Sequence, residues 1–157
     1  MELHEWLMFF HVLASMVWVG AVIFTNAMMT RASRDRDRTS VVRVFRGFEW
    51  AGPRLIGPAA GVVVGLGIWL VILEEDISFP QLWIWLTLLL LAISMGQNGI
   101  YSAREGSRVT VLADERGAED AEVRRRFGRL LWLGRLDVLI LVIVVGLMVF
   151  KPGGPPN

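Results

Sequence analysis

Four apolar runs, each too long for an ordinary soluble fold, dominate this chain. Residues 6–29, 55–73, 79–101 and 130–150 run for 24, 19, 23 and 21 residues, and only the last holds formal charges, Arg135 and Asp137. A helix needs about 20 apolar residues to cross roughly 30 Å of hydrocarbon, so each run is predicted to span. Spanning strands would alternate in polarity over about 10 residues, and these runs are apolar throughout. The predicted architecture is all-α: a polytopic membrane protein with four transmembrane helices in an antiparallel bundle. Residues 1–157 form one membrane domain, with loops 31–54 and 102–129 and a Pro- and Gly-rich tail, 152–157, expected to be disordered. Within the first loop, residues 41–49 alternate apolar and basic side chains and predict a short amphipathic helix on the membrane face. The second loop is expected to continue spans three and four as helices, with a break near Gly117.

The basic residues predict an orientation. Seven arginines lie between the ends of spans one and two, and eight between span three and Asp137, whereas the link between spans two and three is acidic and the last span is followed by a single Lys151. Basic loops stay on the cytoplasmic side, so both termini are expected outside (N-out/C-out), in the cytoplasmic (inner) membrane of a bacterium. The start of the chain is acidic and its apolar run exceeds 7–15 residues, so it does not have the form of a cleaved signal. Tryptophans near the run ends (Trp6, Trp50, Trp69, Trp83, Trp85, Trp132) match an interfacial belt, and Trp18 alone falls at mid-span.

Composition removes several classes of function. With no cysteine there is neither a disulfide scaffold nor a thiolate metal site. A net charge of +1 argues against nucleic acid. No phosphate-binding glycine loop, paired-histidine metal motif or serine–histidine pair is present, and the methionines do not form a soft-metal ladder.

Two intramembrane residues draw attention. His11 lies about 7–9 Å inside the outer interface, on a stripe with Ser15 and Trp18. Imidazole in lipid must face the bundle and find a partner, and it is a ligand for metal or haem iron. The structural alternative is a hydrogen bond to a carbonyl or to a hydroxyl such as Ser15 or Thr87. His4 is too far along the helix to share an ion with it. A haem at His11 would be five-coordinate, ligated also by Met148, or shared across a dimer. Asp137 lies about 20 Å from the outer edge, level with Ser94, Gln97 and Asn98, with Arg54, Thr25 and Asn26 nearer the inner surface and Arg135 able to snorkel to it. This polar cluster predicts either a proton or ion relay, or a salt bridge from Asp137 to an arginine that locks the helices. Gly57, Gly61 and Gly65 repeat every fourth residue, so a neighbouring backbone can approach closely. They predict packing inside the bundle, with Gly96 and Gly99 as opposite numbers, or a dimer seam.

The phrase from Leu3 to Gly20, with His11 followed by Trp18-Val-Gly20, resembles the first helix of several small bacterial membrane families. They are an uncharacterised family of predicted four-helix integral membrane proteins, the copper-resistance D domain and the small haem-binding protoporphyrinogen oxidase. The closing phrase Leu147-Met-Val-Phe-Lys151-Pro-Gly looks most like the uncharacterised family. The resemblance to the oxidase family implies haem b on His11; that to the copper-resistance domain implies copper handling. Three functions are therefore carried forward. The first is a haem-b-binding redox or haem-handling protein, with His11, Ser15, Trp18, Thr87 and Met148 around the cofactor. The second is copper or proton-linked transport through His11 and the Asp137 cluster. The third is an accessory subunit in a homodimer or larger membrane complex.

Overall fold

The computed structural model describes residues 3–34, 43, 46, 47, 50–73, 81–117 and 119–152. They form α1 (Leu3–Arg34), α2 (Gly57–Leu73), α3 (Leu82–Gly96), α4 (Ala103–Arg116) and α5 (Ala121–Phe150). Two π-helical segments punctuate them: Gly52–Ile56 leads into α2, and Gln97–Ser102 joins α3 to α4 in one continuous rod from Leu82 to Arg116. Four helices are long and apolar enough to cross a membrane, so the all-α, four-span architecture holds. The acidic link at 74–76, most of the amphipathic segment at 41–49 and tail residues 153–157 lie outside the described residues.

Length sets where the helices end. α1 has 32 residues, about 48 Å at 1.5 Å per residue, against roughly 30 Å of hydrocarbon. Its last turns, with Arg31 and Arg34, therefore emerge at the arginine-rich end. There Ala32 and Met29 meet Val109, Ala113, Val123, Phe127, Leu130 and Leu131 of α4 and α5, a small core beyond the spans. The chain reverses at Gly117, whose φ of +87° is a conformation glycine tolerates. α5 then starts on an Asp120 cap, whose carboxylate accepts the Glu122 N–H at 2.8 Å. It closes at Lys151, in the left-handed region, with the Lys151 N–H on the Leu147 carbonyl at 3.0 Å.

Packing runs as a chain of neighbours: α2 on α1, α1 on α5, α5 on α3 and on α4. α2 and α3 meet at the end away from the arginines, where Val71 packs on Trp83 and Ile84, and a cavity lies between them toward the other end, beside Ala60 and Ser94. Trp18 and Val22 of α1, Ala60 and Val63 of α2, Leu91 of α3, and Ile140, Leu141 and Val144 of α5 form the central core. The outside is apolar, with Phe9, Phe24, Ile72, Leu89 and Val142 exposed, as expected of a face solvated by lipid.

The glycine repeat is not used as expected. Gly57, Gly61 and Gly65 are all exposed. A Cβ at Gly61 or Gly65 would meet nothing within 4 Å, and one at Gly57 only the Gly52 carbonyl at 3.4 Å. The face of α2 turned to α1 is that of Ala60, Val63 and Gly67, spaced at i, i+3 and i+7. Gly96 and Gly99 likewise meet no neighbour. Intramolecular packing through the repeat is therefore corrected: the stripe faces outward.

Candidate functional site: a cavity backed by Asp137

Asp137 is completely buried, and so is Ser94 opposite it on α3. Ser94 Oγ donates to Asp137 Oδ1 at 2.5 Å, and Asn98 Nδ2 donates to Asp137 Oδ2 at 2.7 Å. The π segment makes this register workable. Asn98 and its chain neighbour Gln97 both reach α5, because Gln97 Nε2 donates to the Leu133 carbonyl at 2.7 Å, one turn before Asp137. π segments of this kind occur often at functional sites.

The expected arginine bridge to Asp137 does not form. Among the described residues no cation lies within 4 Å of its carboxylate. Arg135 is exposed; two residues away on the same helix, it points to the other side of α5. Arg54 is also exposed, donating to the Trp50 carbonyl at 3.2 Å with its guanidinium 5.3 Å from the Trp50 ring centre. The intramembrane cluster is thus Asp137, Ser94, Gln97 and Asn98, without either arginine.

Ser94 and Asn98 also form part of the wall of a cavity of about 640 Å³ in the seam between α2 and α3. It runs from Trp18 at mid-span to Gly106 and Ser107, beyond the second π segment. Both π segments border it, through Gly52 and Ile56 on one side and Asn98, Gly99 and Ser102 on the other. Asn26 of α1 lines it with its Oδ1 buried and unpartnered, while its Nδ2 donates to the Val22 carbonyl at 3.1 Å. Asn26 sits directly over Gly134 of α5, where any Cβ would collide with it. The volume is that of a small-molecule site. Residue type and depth singled out Asn26, Ser94 and Asn98; neither the cavity nor the role of Gly134 carried a sequence signal.

His11 lies elsewhere. Its half-buried ring packs on α2, where a Cβ at Gly67 would come within 3.1 Å of Cε1, and its polar contact is with the Val63 backbone. Nδ1 is buried with no partner. The hydroxyl partners considered for it do not serve: Ser15 Oγ donates to the His11 carbonyl at 2.8 Å, and the buried Thr87 Oγ1 has no partner. Trp18 belongs to the central core, on which Met148 packs, and also to the cavity wall. No group of three His, Asp or Glu able to hold a metal ion occurs among the described residues.

The helices and their apolar outer face define the class: an integral membrane protein of four spans, with a mainly apolar cavity among its helices that carries a few polar side chains on its wall. The chain belongs to the family described as predicted integral membrane protein (DUF2269), whose model matches residues 5–152. No curated protein and no solved structure matches it.

Proposed function

We propose that the protein is a proton-linked solute carrier of the bacterial cytoplasmic membrane, with the α2–α3 cavity as its working site and Asp137 as its ionisable group. One observation carries this reading. A carboxylate fully buried at membrane depth has no cation beside it among the described residues, yet is joined by hydrogen bonds to two side chains of a cavity wall. Ionisable residues inside membranes are costly and ordinarily mark ion or proton paths. The orientation that goes with it is N-out/C-out, supported by the arginines at one end of the helices. A copper cargo is the weaker form of the same reading: the wall offers mainly oxygen atoms, with Met29 and Met95 as its soft donors. In proteoliposomes under an imposed pH gradient, the native protein should carry protons and Asp137→Asn should not. Equal flux in the two, with the variant monodisperse, would remove the reading.

A second reading, haem ligation at His11, is favoured by the orphaned Nδ1. It requires the ring to leave the α2 backbone, because Nδ1 lies on the Gly67 side. Haem would supply one-electron chemistry there. Protein purified with haem supplied should then show a Soret band that His11→Ala abolishes; a colourless, folded preparation would exclude it.

A further inference from the structure

The hydrogen bonds of the cavity wall assign the charge of what it accepts. Thr25 Oγ1 donates to the Ala21 carbonyl at 2.6 Å, and the Ser94 hydroxyl is committed to Asp137. Asn98 Nδ2 donates both to Asp137 and to the Ser94 carbonyl, at 2.7 and 3.1 Å, which uses its two N–H groups. Asn26 Nδ2 is turned to Val22, leaving its buried Oδ1 without a donor. These four side chains have their donors spent, and the Ser102 and Ser107 hydroxyls complete the polar part of a mainly apolar wall. No Lys or Arg is among the described residues lining the cavity, and the formal charge immediately behind its wall is the Asp137 carboxylate. An anion would meet a like charge there with no Lys or Arg among the described lining residues to offset it. Trp18, buried within the membrane, adds an aromatic wall of the kind that attracts quaternary and protonated amines.

Building on the carrier reading, we infer that the cavity takes a small organic cation with an apolar body, held by Trp18 and the apolar wall, with Asp137 behind Ser94 and Asn98 as counter-charge. Gly99 provides a way to close the site without disturbing the fold. It lines the cavity, and a Cβ added there meets nothing within 4 Å, so Gly99→Leu places a side chain in the ligand's space.

Three probes of similar size separate charge from shape: benzyltrimethylammonium, benzenesulfonate and benzyl alcohol, titrated calorimetrically into the protein in lipid nanodiscs. Benzyltrimethylammonium should bind saturably, and at least about tenfold more tightly than either other probe. Gly99→Leu and Asp137→Asn should each weaken it by at least about tenfold. Equal or tighter binding of benzenesulfonate or benzyl alcohol, still lost in Gly99→Leu, would overturn the cation inference and leave the cavity as a solute site. No binding by any probe, or binding indifferent to Gly99→Leu, would overturn the cation inference and the carrier reading together. If Asp137→Asn does not fold, the comparison of probes on the native protein and on Gly99→Leu still decides.

Discussion

Single residues in this bundle are judged by what their neighbours lose. Removing the Asp137 side chain strands the Ser94 hydroxyl and the Asn98 amide in a buried setting. Each unsatisfied group costs about 1–3 kcal/mol, so Asp137→Ala should be clearly destabilised in detergent-denaturation curves. Asp137→Asn, which keeps the shape and an acceptor oxygen, should lose less. The glycines divide in the same way. Gly134→Ala drives a methyl onto Asn26 and forces it off the Val22 carbonyl, at a cost of about 1–3 kcal/mol. Gly61→Ala meets nothing and should be neutral or stabilising by up to about 1 kcal/mol, the helix-propensity difference. Comparable losses in the two alanine variants would contradict the packing described. His11 shows the limit of residue-scale expectation: a carbonyl partner was among those expected, and the backbone of Val63 on α2 supplies it, whereas the hydroxyls of Ser15 and Thr87 do not. A glycine that makes room for a ring leaves no mark in its own sequence.

Elements carry the next set of consequences, above all at the arginine-rich end. Glu105 is buried between α4 and α5, and Arg126 Nη1 meets its Oε1 at 2.6 Å while Nη2 meets Glu122 Oε1 at 2.7 Å. Hydrogen bonds from Arg126, then its charge, hold the Glu122 carboxyl below its ordinary range. A depressed acid stabilises the folded state above its unfolded pKa, and that contribution disappears as pH falls through the folded value. The first turns of α5, where Glu122 and Arg126 lie one turn apart, should therefore loosen on the acid side of the ordinary glutamate range, seen as faster hydrogen exchange over residues 121–129. Glu122→Gln should exchange faster at neutral pH and lose much of this acid dependence; an unchanged profile would contradict the clasp. The α4–α5 hairpin was partly legible, because a charged, Ala-rich stretch with Gly117 in it predicts helices and a break. The π segments were not, since Gln97–Ser102 differs from α-helix in hydrogen-bond register rather than in composition. That register lets two consecutive amides reach one neighbouring helix. The missing Asp137–arginine bridge was a failure of direction: depth placed Arg135 correctly, but its position two residues from Asp137 turned it away.

For the whole molecule, hydropathy made the four spans plain, since hydrocarbon thickness constrains length and composition together. Which helix lies beside which was not encoded so openly, and the cavity is a product of that order: it lies in the seam between α2 and α3. With the orientation proposed above, we infer that this seam is entered from the arginine-rich end. The chain has no cysteine, so one introduced thiol reports without background. The most direct measurement is Gly99→Cys exposed to a membrane-impermeant thiol reagent, in inside-out vesicles and in spheroplasts. Labelling in inside-out vesicles, slowed by benzyltrimethylammonium and absent in spheroplasts, is the predicted result. Labelling from the outer face alone, or from neither face, would contradict it.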